Sequence, residues 1–227
     1  MEHVRRTLAL VIAAAGASAL AGCSTATIPV GAAPATGTKV AVAEPDSTGF
    51  TPLAKWPRAC DLLDEGDIRA VLPSASRVTP APSDLKLTNL NLNSTQRTLV
   101  ARGATCETKV WIPETVKDRD DDPAVTIRTE VRAVGSPAVV KDNFDSFLRT
   151  ARKPCPPALD ALKLDDCLQS GYAWSLRKGS IALQVTASAP VLGKDAKYAG
   201  QGDADYTAAW TTRIMPELIK AVAVRLP

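Results

Sequence analysis

Histidine is almost absent from this chain, which has a single one, His3, among 227 residues. Neither sign of charge is in large excess, because 27 basic and 24 acidic side chains leave a formal net charge of +3. Such a balance gives no electrostatic footprint for nucleic acid, so we expect no nucleic-acid partner. Aromatic residues make up only 4% of the chain, and core packing is expected to use most of them.

The one long apolar run lies at the start of the chain and has the layout of an export signal. Arg5 and Arg6 provide a positive start, residues 7–21 are apolar, and the tetrapeptide L-A-G-C ends at Cys23. The run is too short to span a bilayer comfortably. The tetrapeptide resembles the lipobox of bacterial lipoproteins, in which the cysteine is lipidated and the preceding peptide is removed. We therefore expect a signal peptide over residues 1–22 and a palmitate-bearing Cys23 that anchors the exported protein to the outer face of the cell membrane.

Removal of the signal has a chemical consequence, because it also removes the only histidine. A mature chain without histidine excludes a Ser-His-Asp triad, a Cys-His pair and the usual histidine-ligated metal centres. The acidic run Asp118–Asp122 lacks the spacing of an EF-hand loop, so it is interpreted as a solvated hairpin tip and not as a calcium site. We expect no metal and no cofactor.

Five cysteines occur, and four remain beyond the lipidated one: Cys60, Cys106, Cys155 and Cys167. An even number in an exported domain indicates two disulfides, because that compartment is oxidising. Of the three possible connectivities, sequence proximity favours Cys60–Cys106 and Cys155–Cys167, each closing a separate half of the domain. A zinc or redox site is disfavoured, since the chain has no C-x-x-C motif.

The remaining sequence divides into a tether and one domain. Residues 23–55 are rich in Ala, Thr, Pro and Gly without helical or strand periodicity, which predicts a disordered tether. Residues 56–227 have the length of a single domain. The predicted class is α+β, with an antiparallel sheet of two hairpins, helices on one sheet face and the order α-ββα-ββα.

The elements of that domain follow from periodicity and capping. Asp64 and Asp67 mark the start of the first helix, which Pro73 ends. Alternation predicts one hairpin from residues 105–112 and 124–133 and another from 171–177 and 180–188, each followed by a helix. Pro216 is expected to kink or split the last helix, residues 204–225.

Residues 74–103 are interpreted as a long polar excursion with at most one irregular edge strand, since Pro80 and Pro82 argue for a loop. Long loops carried by rigid elements are common recognition surfaces. The predicted binding residues are three asparagines there and one tryptophan that strand alternation turns away from Cys106: Asn89, Asn91, Asn93 and Trp111.

The opening of the domain resembles the DUF3558-like lipoproteins of actinobacteria. The shared plan is a lipobox, a low-complexity tether, the pattern C-x-L-L-x-x-x-x-[IV], here from Cys60 to Ile68, and a later cysteine before a Val/Trp strand, here Cys106. The resemblance implies an exported lipoprotein with a Cys60–Cys106 bridge and supplies no catalytic residues. The second pair, Cys155 and Cys167, lies outside that pattern. With two disulfides, the α+β domain also resembles the extracellular sensor domains of actinobacterial kinases.

These features predict a non-enzymatic, sensor-like envelope domain that binds a small ligand or another envelope protein. One alternative is a hydrolase of cell-wall polymers that uses two carboxylates, for which the candidates are Glu107, Glu130, Asp165 and Asp166. A second alternative is a structural or assembly factor of the envelope, which would expose a large apolar patch.

Overall fold

An antiparallel sheet of seven strands forms the centre of the computed structural model, which describes residues 28–89, 97–112, 125–147, 152–188 and 208–227. The strand order is β1-β2-β3-β7-β6-β5-β4, and every pair is antiparallel. The strands are β1 Arg77–Asn89, β2 Arg97–Trp111, β3 Val125–Val134, β4 Lys153–Pro154, β5 Asp166–Ser170, β6 Ala173–Lys178 and β7 Ile181–Ser188. The α-helices are α1 Glu65–Val71, α2 Pro137–Phe147 and α3 Met215–Ala223. The predicted α+β class with an antiparallel sheet is confirmed.

The predicted helix arrangement is wrong, because helices cover both faces of the sheet. Side chains of alternating β7 residues pack into the main core with α1 and α3, whereas Ala182 packs with Val140 and Phe144 of α2. Successive strand residues point to opposite faces, so α2 lies across the sheet from the other two helices. We call the side of α1 and α3 the core face, and it carries Ile127, Val131, Leu183 and Val185. The opposite side is the polar face, and it carries Thr105, Glu130, Ser175 and Gln184.

The predicted excursion over residues 74–103 is instead most of a long hairpin. Strand β1 pairs with β2 from Arg77 opposite Trp111 to Asn89 opposite Arg97. Prolines are compatible with this strand because β1 lies at the sheet edge and has a partner on one side only. The strands β1, β4 and β5 therefore add to the predicted order α-ββα-ββα, which does not describe the chain.

Local sequence accounts for the ends of two helices. The Asp64 carboxylate accepts the Asp67 backbone N–H at 2.9 Å and the Asp67 carboxylate accepts that of Asp64 at 3.1 Å, which forms a capping box. Near the end of the chain a π-helical turn, Trp210–Ile214, runs into α3. Pro216 lies in the first turn of α3, where its missing N–H is not needed. The predicted break at this proline is thus a change of helix type.

Residues 28–55 differ from the disordered tether that their composition predicts, because they lie along the domain. Ile28 is buried, and the Gly31 N–H donates to the Val71 carbonyl at 2.9 Å. The Val40 N–H donates to the Arg225 carbonyl at 2.8 Å, and the Ala33 N–H donates to the Glu217 carboxylate at 2.9 Å. We call residues 28–42 the strap. It has no regular secondary structure, so periodicity does not reveal its contacts.

The two disulfides have the favoured connectivity. Cys60 and Cys106 are joined with a Cα–Cα distance of 5.0 Å, and Cys155 and Cys167 with one of 5.4 Å. The first bond ties the segment before α1 to the core face at the centre of β2, where Cys106 is buried. The second holds β4 against β5, beside the hydrogen bond from the Cys155 N–H to the Cys167 carbonyl.

The predicted signal peptide and Cys23 lie outside the described residues. Within the part of the chain that is described, no helix is long and apolar enough to cross a membrane.

Candidate functional site

A cleft opens where the β1–β2 hairpin separates from β3. Pairing between β2 and β3 ends at Thr105 opposite Glu130, but pairing between β1 and β2 continues to Asn89. At this point β2 contains an irregularity at Gly103, whose φ is +66° and whose N–H donates to the Asp84 carboxylate at 3.0 Å. A bulge of this kind bends a strand and increases its twist. The outer part of the hairpin therefore diverges from the end of β3.

The cleft has a volume of about 560 Å³, within the range of about 300–1,000 Å³ that small-molecule sites occupy. Its walls are mostly apolar and come from the segment before α1, the hairpin and β3. Four polar side chains also reach it: Asp46 and Thr51 from the segment before α1, Arg132 from β3 and Asn143 from α2. The lining residues are Asp46, Phe50, Thr51, Pro52, Leu53, Trp56, Leu87, Leu99, Arg132, Ala133 and Asn143.

The floor of the cleft is fixed by backbone contacts. Phe50 bridges to Gly135 beyond the end of β3, and the Thr51 N–H donates to the Val134 carbonyl at 3.0 Å. The Trp56 indole N–H donates to the Thr51 carbonyl at 2.9 Å, so the Trp56 ring is held against the same segment. A side chain at position 135 would place its Cβ 2.4 Å from the Gly49 carbonyl oxygen, which explains the glycine.

The rim beside Phe50 is a tight turn joined to α2. The Asp46 carboxylate accepts the Thr48 hydroxyl and its backbone N–H, and these hydrogen bonds hold the pKa of Asp46 below its usual value. The Gly49 carbonyl accepts the Ser136 N–H at 2.7 Å, just before α2 begins. Phe50 remains 45% exposed and Leu99 42% exposed across the opening. Large apolar side chains with this exposure on opposite rims indicate a surface that contacts apolar groups.

The polar end of the cleft continues onto the polar face through Arg132. Its guanidinium donates to the Glu130 carboxylate, and Arg128 binds the same carboxylate at 2.6 Å. Glu130 is only 5% exposed. Arg152, which precedes β4, donates to the Ser175 hydroxyl on the same face, and Ser175 is fully buried. Arginine side chains thus follow the polar face from the cleft toward β4.

The structure places the predicted binding residues differently from the prediction. Strand alternation does place Trp111 and Cys106 on different faces of the sheet, but Trp111 is only 8% exposed. Strand β1 puts Arg77 opposite Trp111, and the Arg77 guanidinium stacks 3.6 Å from the ring centroid. This outward tryptophan is therefore covered. Asn89 ends β1 with its side chain undescribed, and Asn91, Asn93 and the acidic run Asp118–Asp122 fall outside the described residues.

Three of the candidate carboxylates for hydrolysis form ion pairs with arginines: Glu130, Asp165 and Asp166. Asp165 and Asp166 both bind Arg177, the former at 3.2 Å. Glu107 lies opposite Arg128 in the β2–β3 register and is a diagonal neighbour of Glu130 on the polar face. Arg128 lies between these two glutamates and binds Glu130. Glu107 and Glu130 are thus neighbours on the polar face, with Arg128 adjacent to both in the sheet register.

Two smaller cavities have polar surroundings. One of about 520 Å³ lies beside Arg225, between the strap and the segment before α1, and the other of about 220 Å³ lies beside the Cys155–Cys167 bond. Arg225 forms ion pairs with Asp64 and Asp67, the latter at 2.8 Å. Across the described ranges, no three histidine, cysteine or acidic side chains are grouped so as to hold a metal ion.

The sequence does not predict the cleft, because the residues that line it come from segments whose composition predicts a tether and a loop. Phe50 belongs to the predicted tether, and Leu87 and Leu99 belong to the predicted excursion. The alternation of Leu85 and Leu87 with polar residues was a signal for a strand, and Gly103 was a signal for a bulge.

Comparison with family models, with curated proteins and with solved structures finds no match to this chain.

Proposed function

We propose that this protein is an exported, lipid-anchored envelope protein whose cleft binds an amphipathic small molecule. The cleft between Phe50 and Leu99 carries this proposal. Its walls are mostly apolar with a few polar groups, which suits a ligand that has a hydrocarbon part. The export signal, the lipidated Cys23 and the kinship with DUF3558-like lipoproteins or with kinase sensor domains are parts of the same proposal. They are supported by the L-A-G-C motif and by two disulfides, which suit an oxidising compartment.

A non-enzymatic role is favoured by the surroundings of the candidate carboxylates. Glu130, Asp165 and Asp166 bind arginines, and these ion pairs are sufficient to explain their presence. The cleft itself contains one carboxylate among its lining residues, Asp46, which is held by hydrogen bonds within its own turn. The arrangement therefore suits recognition better than hydrolysis.

The test uses a brominated alkyl alcohol, 10-bromodecanol, as the probe and tryptophan fluorescence as the measurement. Bromine quenches a nearby indole, and Trp56 lines the cleft. We expect saturable quenching that the substitution Trp56→Phe removes. Quenching that persists in the Trp56→Phe protein would place the probe elsewhere and contradict the proposal.

A matched pair of substitutions tests the cleft walls. Leu99 and Val100 are each 42% exposed on neighbouring positions of β2, but only Leu99 lines the cleft. Leu99→Asp is expected to weaken probe binding by about tenfold or more, because it puts a charge against the alkyl chain. Val100→Asp is expected to leave binding unchanged. Equal effects of the two substitutions would contradict a site in the cleft.

A further inference from the structure

We propose that Arg132 and Arg152 form an anion subsite at the polar end of the cleft, so that the ligand is an amphipathic anion with a phosphate or carboxylate group. This inference rests on the proposed function, because the subsite defines the charged end of the same ligand. Three observations support it: an unbalanced cation, a buried donor without a partner and a row of polar residues between the two arginines.

The unbalanced cation is Arg152. Its guanidinium donates to the neutral Ser175 hydroxyl, and no carboxylate within the described residues forms an ion pair with it. Burial lowers the pKa of Arg152, and the positive charge of Arg132 lowers that pKa further. A partly buried cation next to a second cation is costly unless a negative group compensates it.

The second observation is a buried hydrogen-bond donor of the same side chain. The Nε atom of Arg152 is buried and has no hydrogen-bond partner among the described residues. The same holds for the Thr105 hydroxyl, which is next to Glu130 across the strands of the polar face. Buried polar groups of folded proteins are nearly always paired, so unpaired donors indicate a missing acceptor. A phosphate or carboxylate group supplies several acceptor oxygens and the missing negative charge.

A row of polar residues lies between the two arginines on the polar face. Glu130 on β3, Gln184 on β7 and Ser175 on β6 lie opposite one another in one cross-strand row. Glu130 and Ser175 are therefore two strand spacings apart, about 10 Å. Arg132 is bound to the first and Arg152 to the second, with the neutral Gln184 between them. The proposed anion lies above Gln184, between the two arginines, and the proposed alkyl chain extends from it past Arg132 into the cleft.

The negative groups near this row do not offset the charge of Arg152. Glu130 is shared by Arg128 and Arg132, and Glu107 is exposed opposite Arg128 on the far side from β6. Asp166, at the other end of the face, binds Arg177. Each of these carboxylates has its own arginine partner or neighbour, which leaves Arg152 as the cation that a ligand would neutralise.

The experiment compares three probes by calorimetric titration of the full chain: decyl phosphate, decanol and inorganic phosphate. Decyl phosphate has both the chain and the anion, and each of the others has one of them. We expect decyl phosphate to bind at least about tenfold more tightly than decanol, because charge-assisted hydrogen bonds add to chain burial. Inorganic phosphate is expected to bind most weakly.

Substitutions assign the anion to the arginines. Arg152→Gln is expected to remove most of the advantage of decyl phosphate and to leave decanol binding unchanged, while Arg152→Lys retains part of it. Lys141→Gln is the control, because Lys141 is an exposed cation of α2 that pairs with Asp145. It is expected to change nothing. Unfolding midpoints of all variants show whether each one is folded.

The outcomes separate this inference from the proposed function. Equal affinity for decyl phosphate and decanol, unaffected by Arg152→Gln, overturns the anion subsite. It does not contradict the proposed binding site in the cleft. Failure of both alkyl probes with Arg152-dependent binding of inorganic phosphate supports the subsite as a site for a free anion and overturns the proposed function. Failure of all three probes overturns both.

Discussion

The two faces of the sheet differ in the side chains that they carry, and two neighbouring residues of β6 illustrate the contrast. Trp174 points to the core face, where it packs among the strands, α1 and α3, and it is fully buried. Ser175 points to the polar face, is equally buried and binds a guanidinium group. The core face is closed mainly by apolar contacts, whereas the polar face carries a buried glutamate and a buried serine that bind arginines. Under our proposal, one side of these strands stabilises the fold and the other binds the ligand.

The largest difference between the faces is expected from Trp174→Ala and Ser175→Ala. Loss of the buried Trp174 ring removes transfer free energy and leaves a cavity, which should lower the free energy of unfolding by about 3–5 kcal/mol. Loss of the Ser175 hydroxyl removes one hydrogen bond to a charged guanidinium group and should cost about 1.5–3 kcal/mol. Urea unfolding measures both values. If Ser175→Ala proves the more destabilising of the two, the polar face contributes more to the fold than we infer.

The two disulfides sharpen the comparison, because both pack against the core-face cluster but only the second lies beside Arg152 in the chain. Replacing Cys60 and Cys106 by serine opens a loop with a sequence separation of 46 and should cost about 4 kcal/mol, whereas the pair Cys155 and Cys167, with a separation of 12, should cost about 3 kcal/mol. The second replacement frees β4, which follows Arg152, so it should also weaken binding of decyl phosphate. The first replacement, in protein that remains folded, should leave that affinity nearly unchanged.

The ion pairs of Arg225 provide the next largest effect, on the core side. Burial lowers the pKa of Arg225, but the hydrogen bonds and charges of Asp67 and Asp64 outweigh burial and raise it. Asp67 is only 3% exposed, so Arg225→Ala leaves a buried carboxylate with no cation and should cost about 3 kcal/mol. Lys141→Ala, which breaks an exposed pair on α2, should cost about 0.5 kcal/mol or less. Similar losses for the two variants in urea unfolding would contradict this account of Asp67.

The smallest expected effect concerns acid and the strap. Burial raises the pKa of Glu217, but the Ala33 N–H and Lys220 outweigh burial and lower it below the usual 4.5. A carboxylate with a lowered pKa stabilises the folded state above the unfolded value, and that contribution is lost as the pH falls through the folded value. At pH 7, Glu217→Gln should cost about 1 kcal/mol, and at about pH 3 the variant and the natural protein should approach equal stability. A difference that persists in acid would show that the charge of Glu217 is not what holds the strap.

Sequence patterns predict the core face much better than the cleft. Strict alternation in β3 and β7, together with the two acidic caps of α1, reports contacts that are local or periodic. The strap was missed because Ile28 and Val40 bury their side chains without any period. Strand β1 was missed because its prolines suggest a loop unless the strand is known to lie at an edge. The cleft depends on β1 and on the segment from Asp46 to Trp56, since it lies where the hairpin diverges from β3.

The polar face was hidden from sequence analysis for a different reason. Arg128, Glu130 and Arg132 alternate with apolar residues in the way that solvent-facing positions of a strand do. Arg152 lies 20 residues beyond Arg132 and is brought to the same face only by the pairing of β4, β5 and β6. The cluster therefore depends on the order of the strands in the sheet, and this order cannot be inferred from any single segment of the sequence.

The most direct test of the central claim is a crystal structure of the protein with decyl phosphate. We predict that the alkyl chain lies between Phe50 and Leu99 with Trp56 beneath it, and that the phosphate contacts the guanidinium groups of Arg132 and Arg152. A chain seated elsewhere, such as in the cavity beside Arg225, or a phosphate without contact to either arginine, would contradict the account.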